Sequence, residues 1–204
     1  MNRLKSLLLT VVVLFGGIHV NHTSAQVALK TNLLYDATTT PNLGLEVGLS
    51  RKTTAQVFYG LNPWTFNSES NGTRKAKHWL VMPELRFWPC YRFNGHFFGI
   101  HAMGGQFNAA NVDIPLPGTF FRGDNLRSEL PNTAYEGRFL GGGITYGYQW
   151  IISRHLNLEA EIGAGYDRVW FDKYECGECG SKQYSASTNY AGITKLGLSL
   201  MYLF

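Results

Sequence analysis

From Leu196 to Phe204 every second residue is large and apolar, namely Leu196, Leu198, Leu200, Tyr202 and Phe204, while Lys195, Gly197, Ser199 and Met201 alternate with them. A period of two is the signature of a strand with one apolar face. A strand of this kind that stops on an aromatic residue is the expected close of a transmembrane β-barrel. A lysine at mid-depth on a lipid-facing surface costs ~2–4 kcal/mol, so Lys195 is expected to point inward.

The amino-terminal residues read as a cleaved export signal. Arg3 and Lys5 form a short positive region, Leu7 to Gly17 an apolar core and Thr23-Ser24-Ala25 a small-residue cleavage site, so the mature chain is expected to begin at Gln26. The apolar core is shorter than the ~20 residues a membrane-spanning helix needs, and no later stretch is longer. Membrane insertion therefore has to use strands. Loss of Arg3 and Lys5 lowers the formal net charge from +4 to +2, a balance that argues, with export, against nucleic acid as a partner. High glycine and aromatic content with few charges fits all-β structure, and residues 26–204 read as one domain.

The period-two pattern predicts eight strands, at Val27–Asp36, Asn42–Ser50, Thr53–Leu61, His78–Trp88, Phe97–Phe107, Arg138–Trp150, His155–Trp170 and Ile193–Phe204. Connections at Arg51-Lys52, Pro89–His96 and Ile151–Arg154 are short. Those at Asn62–Lys77, Asn108–Gly137 and Phe171–Gly192 are long, and Ala37–Pro41 is a brief first outer loop. Short turns on one side and long loops on the other describe an eight-stranded antiparallel up-and-down transmembrane β-barrel with short periplasmic turns and longer outer loops.

Strand parity then divides the side chains. Leu43, Leu45, Val47 and Leu49 are sent outward with Glu46 inward. Trp79, Val81, Leu85 and Phe87 go outward with Glu84 and Arg86 inward. Leu156, Leu158, Ala160, Ile162 and Ala164 go outward with Glu159 and Glu161 inward. With Lys30 and Lys195, the inward set is three cations, Lys30, Arg86 and Lys195, facing four carboxylates. An eight-stranded barrel is just wide enough for its own side chains to fill, so this set reads as a polar plug and not as a conduction path. Hairpin register places Glu84 beside His101, which is expected to supply a further positive charge.

Aromatic residues fall near both expected rims, with Tyr35, Tyr59, Trp64, Trp79, Tyr166 and Trp170 at the outer one and Trp88, Trp150, Tyr202 and Phe204 at the inner one. Two such girdles are the lipid anchors of a membrane barrel. A soluble lipocalin-like barrel has the same strand count and period, but its apolar faces would line the interior and its Glu and Lys positions would meet water. Alternation alone leaves that inversion open.

The run Lys30-Thr31-Asn32-Leu33-Leu34-Tyr35-Asp36, followed by Pro41-Asn42-Leu43-Gly44-Leu45-Glu46, resembles the opening signature of the family catalogued as domain of unknown function 3575, small exported proteins of anaerobic gut and oral bacteria. The resemblance covers most of the mature chain. It implies an outer-membrane location, a barrel-like build and a link to fimbrial or envelope assembly, with no catalytic residues to carry over. The build is also loosely similar to the small barrels of the OmpA and OmpX group.

Chemistry, if present, is expected on the outer loops. Cys176-Gly177-Glu178-Cys179 reads as a local disulfide between Cys176 and Cys179, since a closed zinc site needs four ligands and Cys90 belongs to an inner turn across the membrane. Arg74, Lys75, Lys77 and His78 form a basic segment suited to lipopolysaccharide phosphates or acidic glycans, or simply to solvent. An outer-membrane lipid hydrolase or acyltransferase would need a histidine, a serine and a carboxylate at the outer rim. His78 near Ser68 and Ser70 is the placement that comes nearest. The third long loop carries Pro115, Leu116, Pro117, Phe120, Phe121 and Pro131, and is suited either to folding over the barrel mouth or to presenting a protein contact. The expectation is an envelope structural or surface-interaction protein without cofactor, metal or catalytic residues, whose partners are outer-membrane lipids and a lipopolysaccharide or surface protein. A lipid-modifying enzyme and a soluble ligand-binding barrel are the alternatives.

Overall fold

The computed structural model describes residues 26–68, 72–110, 118–121, 134–174 and 182–204, with residues 66–68 and 72–75 described in backbone only. The expected signal segment, Ser70, Pro115, Leu116, Pro117, Pro131 and the Cys176/Cys179 pair lie outside the described residues.

All eight expected strands form. They are β1 (Val27–Asn32), β2 (Asn42–Gly48), β3 (Thr53–Asn62), β5 (Gly72–Phe87), β6 (Gly95–Ala110), β8 (Ala134–Ile151), β9 (Leu156–Tyr174) and β10 (Lys182–Leu203). Each pairs antiparallel with the next in that order, and β1 pairs back onto β10 from Ala28↔Leu203 to Asn32↔Ser199, so the sheet closes on itself as a ring. Closure removes the unpaired edges that an open sheet would leave. At the end that carries Val27 and Phe204, tight connections are held by main-chain bonds such as Trp88 N–H to the Lys52 carbonyl and Leu203 N–H to the His155 carbonyl. Phe93 adopts φ 61° and Gly95 φ 78° in the turn between β5 and β6. Among the described residues no helix is long and apolar enough to cross a membrane.

The strands depart from expectation at the opposite, loop-bearing end. Strands β5, β6, β8, β9 and β10 run on well past their expected limits, because main-chain pairing continues into segments that carry no regular apolar alternation, for example Lys75↔Ala110 and Ala134↔Tyr174. Strand β1 instead stops four residues early. The Asn32 side chain accepts the Leu34 N–H and caps a short helix, α1 (Leu33–Ala37), a role for which asparagine is among the preferred residues. Two additional strands occupy the expected loops, β4 (Thr65–Ser68) on β5 and β7 (Gly118–Phe121) on β10. Strand β7 pairs with β10 from Asn189↔Phe121 to Gly192↔Gly118, above the stretch that β1 covers. It therefore continues the wall where β1 gives way to α1.

Side chains alternate between lumen and convex face as parity requires. The outward set includes Leu43, Leu45, Val57, Leu85, Ile100, Ile144, Ile162, Leu196 and Tyr202, all exposed, Ile144 at 69%. The inward set forms three apolar clusters around a charged middle. Ala28, Phe93, Met201 and Leu203 pack at the terminal end, Phe58, Leu80, Met82 and Met103 above the charges, and Ala109, Tyr135, Val169 and Phe171 towards the loops.

Two expected rim aromatics are inside. Trp88 shares the parity of Glu84 and Arg86, is fully buried, donates from Nε1 to Thr54 Oγ1 at 3.0 Å and packs on Phe97. Tyr35 rides on α1 and meets Phe58 edge to face inside the ring. Tyr59, Trp79, Trp150, Tyr166, Tyr202 and Phe204 are exposed on the convex side, and Trp64 is exposed between β3 and β4, where its Nε1 donates to the Thr39 carbonyl at 2.6 Å. Trp170 is partly covered by the Arg138 and Arg168 guanidinium groups.

Candidate functional site

Inward parity on five strands brings seven of the eight expected lumen residues into one ionic cluster. Arg86 is its hub. Its Nη1 donates to Glu46 Oε2 at 2.9 Å and Glu159 Oε2 at 2.8 Å, Nη2 donates to Glu161 Oε2 at 2.6 Å, and Nε donates to Glu84 Oε2 at 3.1 Å. A planar fork of five N–H donors is the group suited to holding several carboxylates at fixed angles. The face of the guanidinium rests on the Phe97 ring, 4.3 Å from its centroid. Lys30 Nζ donates to Glu159 Oε1 at 2.6 Å and lies 3.6 Å from Glu46. Lys195 Nζ joins Glu84 and, at 2.8 Å, Glu161. Thr54 Oγ1 donates to Glu46 and Gln56 Nε2 to Glu84. Gly99 keeps this packing open, since a β-carbon there would occupy the place of the Glu84 carboxyl.

His101 lies where hairpin register places it, opposite Glu84, but its ring makes other bonds. Its Nδ1 meets Thr145 Oγ1 at 2.8 Å and its Nε2 meets Thr194 Oγ1 at 2.9 Å. The expected Glu84–His101 charge pair is thus replaced by Glu84–Lys195. The reason is reach: the lysine on β10 extends across the lumen to a carboxylate that Arg86 and Gln56 also hold.

Above His101 the lumen changes character. Gly105, Phe107 and Ala109 on β6, Phe139 on β8, and Val169 and Phe171 on β9 continue the inward parity with apolar side chains. Phe107, Ala109, Phe139 and Val169 line a cavity of about 510 Å³ whose walls also include Tyr35 of α1, Phe120 of β7, Tyr190 of β10 and the polar Thr40, Asn62 and Thr194. The polar plug expected to fill the whole lumen therefore fills its middle only. Asp167, 6% exposed, lines this cavity, and its Oδ1 has no hydrogen-bond partner among the described residues. Neither feature had been expected. The signal for both was present, since parity counted upward from Glu161 passes through Gly163, Gly165, Asp167, Val169 and Phe171.

Of the expected basic segment, Lys77 is exposed and His78 half-buried, and both line the mouth of that cavity and a second one of about 580 Å³ that also touches Glu136, Arg138 and Asp172. His78 Nδ1 lies 3.0 Å from the Ala76 carbonyl. The Arg74, Lys75 and Ser68 side chains lie outside the description. At the far end of β9, Asp172 receives bonds from Lys182 at 2.8 Å and Ser185 at 2.7 Å. These hydrogen bonds hold the Asp172 carboxyl below its usual range and raise Lys182. Exposed pairs of this kind contribute little to stability. Cys90 is exposed in the turn at the terminal end. Among the described residues no group of three His, Cys, Asp or Glu side chains is placed to hold a metal ion.

Compared with known proteins, residues 8–204 match the model of a family described as a protein of unknown function, DUF3575. No curated protein matches the chain.

Proposed function

The chain belongs to the DUF3575 family, and from that starting point we propose that it is a bacterial outer-membrane β-barrel, closed to solutes at mid-lumen, that serves the cell envelope as a structural or surface-interaction protein. The observation that carries this reading is the inverted polarity of the ring. Lys30, Glu46, Arg86 and Glu159 are buried inside it at 3% exposure or less, while Leu43, Ile100, Ile144 and Leu196 stand more than half exposed on its convex face. A contiguous apolar exterior of this extent is a liability in water and a requirement in a bilayer.

The dimensions support the same reading. On β9 the outward residues from Leu156 to Tyr166 span ten steps, which at ~3.3 Å per residue and a tilt of ~40° cover roughly 25 Å, the height of a barrel's apolar band. The ionic cluster supports a sealed lumen over a pore, because five strands contribute charges that meet one another at hydrogen-bonding distance. A soluble lipocalin-like barrel needs the opposite distribution. A lipid-modifying enzyme would need a nucleophile and an acid beside His78, the half-buried histidine at the loop end.

Cell fractionation with gel electrophoresis of boiled and unboiled samples tests the proposal. Recovery with the outer membrane and a heat-dependent mobility shift are expected. Recovery in the soluble periplasmic fraction without a shift would overturn it. Deletion that leaves the lipid profile intact is expected of an interaction protein, whereas a changed lipid A or phospholipid profile would favour the enzyme.

A further inference from the structure

The loop-end cavity is a different kind of place from the ionic floor beneath it. Its apolar walls include Phe107, Ala109, Phe139 and Val169, its polar lining includes Asn62, Thr194, Lys77 and His78 as well as Asp167, and its volume of about 510 Å³ falls within the ~300–1,000 Å³ of small-molecule sites. Sites of that class combine an apolar lining with a few placed polar groups that fix orientation. Of the polar groups here, Asp167 is the carboxylate, and it is buried. The residue is 6% exposed, and Oδ1 is without a partner among the described residues. Buried polar atoms are almost always bonded, so a carboxylate that lines a cavity and has an unpartnered oxygen calls for a donor from outside the chain.

Local sequence makes room for that carboxyl. Asp167 stands opposite Gly141 on β8 and Tyr190 on β10. A β-carbon at Gly141 would collide with Asp167 Oδ1, so the glycine preserves the room the carboxyl uses. The Tyr190 hydroxyl donates to the Ile193 carbonyl at 3.0 Å. Thr188, diagonal to Asp167 across the β9–β10 pairing, also has a buried hydroxyl oxygen without a partner among the described residues.

We infer that this cavity binds one small amphiphile with an apolar body and a hydrogen-bond-donating head, an amine or a hydroxyl, received by the Asp167 carboxylate. The apolar body lies against Phe107, Phe139 and Val169. The site does not rest on membrane insertion, since the cavity is inside the ring in either setting.

The test uses the purified mature protein in phosphatidylcholine nanodiscs, or in buffer if it fractionates as soluble. Octylamine, octanol and octanoate are titrated by saturation-transfer NMR against empty nanodiscs or buffer as the blank. Saturable binding of octylamine at least tenfold tighter than octanoate is expected; comparable binding of octanol assigns a hydroxyl head, and its absence an ammonium head. Asp167→Asn is expected to weaken octylamine at least tenfold, and Ala109→Trp to abolish binding of all three probes while the folded mobility on gels is kept. Equal binding of octanoate, an unchanged affinity in Asp167→Asn, or no saturable binding to the folded protein would each overturn the site. If Asp167→Asn does not fold, the octylamine-to-octanoate ratio in the unaltered protein and the Ala109→Trp result decide. A protein found soluble that still binds octylamine would sink the membrane reading alone.

Discussion

Arg86 Nη1 and Glu159 Oε2 meet at 2.8 Å with both side chains wholly removed from solvent. One residue comes from β5 and the other from β9, strands that are not neighbours in the ring. The bond therefore crosses the lumen and ties opposite walls together. It also sets the cost of disturbing the plug, since a buried charge that loses its partner is far more expensive than a pair replaced as a unit.

Arg86→Met is expected to lower unfolding stability by ~3–5 kcal/mol, because it leaves Glu46, Glu84, Glu159 and Glu161 facing one another without their common partner. Urea titration followed by intrinsic fluorescence measures it. A loss below ~1 kcal/mol would mean that water or counter-ions already screen the cluster.

His101→Leu is expected to cost about 1–3 kcal/mol through the Thr145 and Thr194 hydroxyls it strands. A double-mutant cycle with Glu84→Gln should be additive within ~0.5 kcal/mol, whereas Lys195→Met with Glu84→Gln should show coupling above that. Coupling between His101 and Glu84 would restore the charge pair that register alone implies.

Trp88 and Trp150 should report opposite sides of the wall. Trp88 is buried against Phe97 and Thr54, while Trp150 is 45% exposed on the convex face. In single-tryptophan variants reconstituted with brominated lipid, Trp150 emission is expected to be quenched and Trp88 emission spared. Equal quenching would place Trp88 in the rim.

Cys90 is exposed in the turn between β5 and β6. In an outer-membrane barrel with that turn in the periplasm, a membrane-impermeant maleimide should label Cys90 only after the outer membrane is permeabilised. Cys176 and Cys179 should be labelled in intact cells only after reduction. Labelling of Cys90 in intact cells would reverse the orientation.

Most of the wall was legible because strand parity is a local property. Glu46, Glu84, Arg86, Glu159, Glu161 and Lys195 are inward for the same reason that Leu45, Leu85, Ile162 and Leu196 are outward, and a shift of one residue would have reversed both sets together. Trp88 was misplaced by its position near a strand end, although the same parity that directs Arg86 inward directs Trp88 inward too. Helix α1 hid behind an apolar run that also suits a strand, and only the Asn32 cap marks where it starts. The extensions of β5, β6, β8 and β9, and the docking of β7 on β10, carry no local signature. They arise from pairing between distant segments. Phe107, Phe139, Asp167 and Val169 lie within the expected strands, but the inward faces were followed only through the charged residues and His101, so the apolar upper lumen and Asp167's place in it went unread.

The central claim is the polarity of the ring, and nitroxide accessibility tests it most directly. In a cysteine-free background, labels at Ile100, Ile144 and Leu196, which face outward, are compared in phosphatidylcholine vesicles for collision with oxygen and with a water-soluble nickel chelate. High oxygen and low nickel accessibility at all three is expected of a band immersed in lipid. High nickel accessibility at these positions in folded protein would contradict it, leaving a closed ring whose apolar face meets water.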